Sequence, residues 1–81
     1  MIGISAQVSL YPLRQEHVSP AIDEAIAILR RAELDVTVGP MSTVVAGDDD
    51  RVFDALKQAF RAASQRGDVV LVVTFSNACP V

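Results

Sequence analysis

The stretch Gly39-Pro40-Met41-Ser42-Thr43-Val44-Val45-Ala46-Gly47 decides how this chain folds. Glycine and proline mark a turn, and the β-branched run after it suits a pleated, half-buried surface. The stretch therefore reads as a turn leading into a short strand, closed by a second glycine. An apolar strand and an amphipathic helix precede it, and a helix and an apolar strand follow. The chain reads as strand-helix-strand, twice.

Towards the N-terminus, Asp35-Val36-Thr37-Val38 forms a short strand that Gly39-Pro40 ends. Before it, Ser19-Pro20 opens a helix, with serine predicted as N-cap and proline at the first helical position. Ile22, Ala25, Ile26, Leu29 and Ala32 recur at helical spacing as a stripe for the core. Asp23 and Glu24 near its start and Arg30 and Arg31 near its end suit the helix dipole. Residues 2–12 alternate, with Ile2, Ile4, Ala6, Val8 and Leu10 on one face and Gly3, Ser5, Gln7, Ser9 and Tyr11 on the other. That period of two is a strand with one apolar face, which Pro12 is expected to end for want of an N–H.

Towards the C-terminus, Asp48, Asp49 and Asp50 lead into a helix from about residue 51 to 66. Phe53, Leu56, Phe60 and Ala63 are its predicted buried stripe, with Ala59 beside it, and Gly67 is placed as its left-handed cap. The last strand, 68–77, is apolar on both faces through Val69-Val70-Leu71-Val72-Val73.

This order of elements is the split βαβ of an α+β, ferredoxin-like βαββαβ fold: a four-stranded antiparallel sheet ordered 4-1-3-2 with two helices on one face. It takes residues 1–81 as one domain. The last strand then becomes a long apolar edge, and the second sheet face has no helix over it. Both features predict a partner, most economically another copy of the chain.

Composition narrows the classes of function. The chain has 81 residues, 51% hydrophobic, and a net charge of −3. A core this small supplies little stability of its own. One cysteine and one histidine provide neither a disulfide nor a metal cluster. The acidic balance argues against nucleic acid. No apolar run approaches the ~18 residues of a membrane span, and the N-terminus lacks a signal-peptide pattern, so a cytoplasmic location is expected.

Few residues carry chemistry. The three aspartates read better as helix-capping and dipole-matching groups than as a metal site. Cys79 lacks a neighbouring base and reads as a buried structural cysteine, and His17 as a solvated loop residue. No catalytic residue is assigned. Gln7, Ser9 and Tyr11, with Ser42 and Thr43 on the neighbouring strand, offer hydroxyl and amide groups beside an aromatic ring. Such a surface holds a small heterocycle or forms a polar interface between copies. Ser76 and Asn77 are either a ligand contact or a strand-ending turn. Other ferredoxin-like functions lack their marks: no second exposed aromatic for RNA, no Cys-x-x-Cys, no glycine-rich phosphate loop.

Ser9-Leu10-Tyr11-Pro12-Leu13, Ser42 to Gly47, Val52-Phe53-Asp54-Ala55-Leu56 and Ser76-Asn77-Ala78-Cys79-Pro80 together resemble the YkoF-type thiamine/hydroxymethylpyrimidine-binding family. The resemblance spans nearly the whole chain. It implies a ferredoxin-like, non-enzymatic protein that binds thiamine or its hydroxymethylpyrimidine moiety for transport, salvage or sensing, without a cofactor. YkoF-type chains typically carry two such units in tandem; here there is one, so the resemblance implies a homodimer that rebuilds the pair, or a homotetramer as in the related single-domain thiamine-binding group. Ser9, Tyr11, Ser42, Thr43, Ser76 and Asn77 are the candidate ligand contacts. Tyr11, Met41 and Phe75 are available to face a ring. The alternative is a regulatory or interaction domain that binds another metabolite at a homo-oligomer interface.

Overall fold

A computed structural model describes residues 2–14, 16–40 and 42–78. Strand β1 (Gly3–Pro12), helix α1 (Ser19–Arg31), strands β2 (Asp35–Val38) and β3 (Thr43–Asp48), helix α2 (Asp49–Ser64) and strand β4 (Val69–Ser76) follow in that order. The sheet is antiparallel and ordered β2-β3-β1-β4, which is the 4-1-3-2 arrangement read from its other edge. The fold is the ferredoxin-like one expected.

Alternation along β1 sorts the sheet into two faces. Ile4, Ala6 and Val8 are buried towards the helices, and their cross-strand partners Val45 and Val73 turn the same way. Ser5, Gln7, Ser9 and Tyr11 share the open face with Val44, Val70 and Val72. The core sits between, from Val45 and Val52 at full burial to Leu29, Leu34 and Leu56.

Gly47 belongs to this packing. A Cβ there would stand 2.6 Å from Leu34 Cδ2, so the glycine lets the leucine that follows α1 lie flat on β3. Gly39 serves the β2–β3 turn: its N–H donates to the Ser42 carbonyl at 2.8 Å, and a Cβ would stand 3.0 Å from that oxygen.

Four local expectations are corrected. Val18, not Ser19, is the N-cap of α1, and no side chain caps it; Ser19 already lies in the helix. Asp48 likewise holds the N-cap position of α2 without a side-chain cap bond, while Asp49 and Asp50 occupy the first turn, where the dipole favours them. The buried line of α2 is Val52, Ala55, Leu56, Ala59 and Ala63, whereas Phe53 and Phe60 are 55% and 42% exposed. Small residues let the helix approach the sheet and α1 closely, which rotates both phenylalanines outward; Phe53 stacks on Phe75 at 4.5 Å. Gly67 has φ 148°, well away from a left-handed helical cap, and the residue in that conformation is Glu33, φ 62°, just past α1.

Pro12 also behaves differently. It pairs with Val69 inside the ladder, and the next residue still donates, from Leu13 N to the Asp68 carbonyl at 2.8 Å. The odd-numbered residues of β1 point their backbone groups at β4, and the even-numbered ones at β3, as Asp49 N donating to the Ile2 carbonyl at 2.8 Å confirms. Proline at position 12 therefore removes no ladder bond.

Candidate functional site

The sheet is ragged at one end. β1 continues to Pro12 along β4, but its pairing with β3 stops at Val8 opposite Thr43. Thr43 is the first residue of β3, and the β2–β3 turn precedes it. A cavity of about 190 Å³ opens there, between the sheet and α1.

Its walls are apolar. Val8 and Leu10 of β1, Val38 of β2 and Leu71 of β4 face Ile22, Ile26 and Leu29 of α1 across it, with Ala59 of α2 at the side. Its polar lining comes from Ser9, Tyr11, Ser42, Thr43 and the 39–40 turn. A mostly apolar cavity with a few polar groups in its lining suits a small heterocycle with a hydrogen-bonding edge.

The structure divides the first group of candidate residues between two faces. Thr43 pairs with Val8 and Val38, so its side chain is on the helix side and borders the cavity. Ser42 also borders the cavity, and its Oγ accepts a hydrogen bond from Gln7 Nε2 at 3.3 Å, tying it to the open face. Ser9 and Tyr11 edge the cavity, yet their side chains belong to the open face beside Val72 and Val70. Tyr11 is 51% exposed. Ser76 stands across from Ser5 at the far end of the sheet, where its Oγ accepts from Ala78 N at 3.1 Å, and Asn77 is exposed beside it. One chain does not bring Ser76 and Asn77 together with Thr43. Met41 and Cys79 lie outside the described residues.

Ile22 and Ile26 are the residues that sequence reading missed. They count there as core, but both are only half-buried and form the cavity wall, while Ala21, Ala25 and Leu29 make the buried line. The available signal is the width of the stripe: α1 carries two adjacent apolar lines, more than one helix contact consumes.

Elsewhere, the carboxylates of Asp48, Asp49 and Asp50 come within 4.8 Å of one another, and Asp49 Oδ1 accepts from Ile2 N at 3.1 Å. His17 is exposed in its loop, as expected. Among the described residues no helix is long and apolar enough to cross a membrane.

Fold and cavity define the class: a ferredoxin-like α+β protein with an apolar opening beneath its first helix. Comparison supplies the family, for residues 6–76 match the family model described as thiamine-binding protein, and the chain belongs to that family. This agrees with the resemblance carried by the four sequence motifs. Among solved structures, a hypothetical protein of Methanocaldococcus jannascii is 31% identical with a TM-score of 0.86, over 94% of this chain and 80% of that one. A protein of Streptococcus pneumoniae is 30% identical with a TM-score of 0.85, over 93% and 86%. A candidate thiamine biosynthesis/salvage protein of Thermotoga maritima shares the fold at 22% identity and a TM-score of 0.82, over 91% and 82%. Comparison with curated proteins finds no significant match.

Proposed function

We infer that this protein binds thiamine or its hydroxymethylpyrimidine moiety without transforming it, in transport, salvage or sensing. The observation that carries the reading is the coincidence of two facts. The chain belongs to the thiamine-binding protein family, and its cavity joins an apolar lining to the hydroxyl of Thr43, the chemistry an aminopyrimidine calls for. The ring lies between Ile22 and Ile26 on one side and Val8 and Leu10 on the other. Its polar edge meets the Thr43 hydroxyl, which faces the cavity, with Ser42 bordering it.

Binding rather than catalysis is the better reading because, among the described residues, the cavity lining holds no ionisable side chain other than the Tyr11 phenol. General acid–base or nucleophilic chemistry needs such a group within hydrogen-bond reach of the reacting atom. Ser9 and Tyr11 take part through a second copy: with Val44, Val70 and Val72 they form the open face of a sheet whose β4 edge is also unpaired among the described residues. A homodimer or homotetramer through that edge or face covers the exposed apolar groups.

Titration calorimetry with thiamine and with hydroxymethylpyrimidine tests the reading. Saturable binding of either compound without turnover supports it. Failure of both to bind, with mass spectrometry of the natively purified protein finding a different metabolite, replaces it with the regulatory alternative.

A further inference from the structure

The two ends of the cavity differ in chemistry. At one end its lining is buried hydrocarbon, from Val8 of β1, Ala25 and Leu29 of α1 and Ala59 of α2. At the other end Tyr11, Val38 and Pro40 are exposed to water. Thr43, half-buried, lies between these extremes. The described lining carries no charged side chain, and Met41, which falls between Pro40 and Ser42 outside the described residues, is uncharged by type. At about 190 Å³ the cavity is smaller than the roughly 300 Å³ at which pockets that enclose drug-sized ligands begin. One ring with small substituents fits inside, and a second ring does not.

We propose that the pyrimidine enters this cavity methyl-first, with its C2 methyl on the floor formed by Val8, Ala25 and Leu29 and its C5 arm leaving at the rim beside Tyr11, Val38 and Pro40. The proposal rests on the thiamine-type reading of the site and names the part of the ligand that is recognised. C2 and C5 stand opposite each other across the ring, so a methyl on the floor aims the C5 arm straight out. That arm is a hydroxymethyl group in the free pyrimidine and the link to the cationic thiazolium in thiamine. A fixed positive charge has no counter-charge in the described lining, and taking it out of water there is strongly unfavourable. The charged ring therefore stays in solvent, and the neutral ring alone is read. The amine-bearing edge, midway between the two poles, comes level with Thr43. A hydrocarbon floor offers no partner to a polar group in the methyl's place, whereas a methyl leaves water there and adds affinity. The site is thus selective at C2 and indifferent to what C5 carries.

The test is calorimetry on the intact protein with hydroxymethylpyrimidine, its analogue bearing hydrogen in place of the C2 methyl, thiamine, and hydroxyethylthiazole. The expected result is that hydroxymethylpyrimidine and thiamine bind within about tenfold of each other, with no binding by the thiazole. The demethylated analogue should be about 10- to 200-fold weaker, the range for one missing carbon in an apolar pocket. In Ala25→Val, which raises the floor, the preference for the methylated compound should shrink or reverse. A thermal melt shows whether that variant folds, and if it does not, the series on the parent decides. Equal binding of the two pyrimidines, or an unchanged preference in folded Ala25→Val, takes the methyl off the floor and overturns the proposal. A difference of more than about tenfold between thiamine and hydroxymethylpyrimidine, or competition by the thiazole, shows that the arm is read and also overturns it. These outcomes leave the thiamine-type reading standing. Absence of any binding by thiamine and hydroxymethylpyrimidine overturns both.

Discussion

Thr43→Val separates ligand contact from fold more cleanly than other changes at this site. Threonine 43 begins β3, pairs with Val8 and with Val38, and turns to the helix side, where it borders the cavity. Its hydroxyl has no hydrogen-bond partner among the described residues. Valine reproduces its shape and β-branching, so the strand and its neighbours keep their packing. The substitution removes a hydroxyl without breaking an internal bond, and stability should change by no more than about 0.5 kcal/mol. With ligand bound the situation differs, because a polar atom of the heterocycle loses its partner in an apolar slot. That loss costs about 1–3 kcal/mol. At 1.4 kcal/mol per decade this is about 5- to 140-fold in Kd. Calorimetry at a fixed temperature reads the affinity, and a thermal melt of the free protein reads the fold. Unchanged affinity together with an unchanged melt would remove Thr43 from the site as the group that holds the polar edge.

Four further changes bear on other parts of the account. Ile26→Trp fills the slot from its helix wall and should abolish measurable binding while the melt stays near that of the parent; retained affinity would move the ligand elsewhere. Ser76→Ala, at the far end of the sheet, should bind like the parent, and a tenfold loss would favour a site completed there by a second copy. Gly47→Ala places a methyl against Leu34 Cδ2; overpacking costs about 1–3 kcal/mol, offset by up to about 1 kcal/mol of backbone entropy, so denaturation should show a net loss of at most about 3 kcal/mol and no gain. Val72→Lys puts charges on the open face beside Ser9, and sedimentation should show it shifting the protein towards monomer; an unaltered sedimentation profile would take the open face out of the assembly.

The fold was readable because its signals are local and agree with one another. Alternation along residues 2–10 and the glycine and proline at 39–40 each mark a face or an element boundary that the structure repeats, whereas Gly47, read as closing its strand, lies within β3 opposite Ile4. The site was less readable, for two physical reasons. First, its walls are made of the same residue types as the core: nothing in Ile22 or Ile26 distinguishes a side chain packed on a neighbour from one facing an opening. The same ambiguity misassigned α2, where Val52-Ala55-Leu56-Ala59-Ala63 and Phe53-Leu56-Phe60-Ala63 are both helical lines, and the smaller residues, not the larger, are the buried ones. Second, Ser42 and Thr43 are adjacent, so a register fixed by the 39–42 turn sends one hydroxyl to each face. Register is a property of the pairing, and a sequence read one strand at a time does not contain it.

The central claim is that a thiamine-type aminopyrimidine occupies the slot between α1 and the ragged end of the sheet. Mapping the backbone and methyl resonances of the uniformly labelled protein during a titration with hydroxymethylpyrimidine tests it most directly. The account predicts saturable shifts at Leu10, Ile22, Ile26, Val38 and Thr43, with Ser76 and Asn77 unmoved. Shifts confined to the Ser76 end of the sheet, or none at saturating concentration, would contradict it.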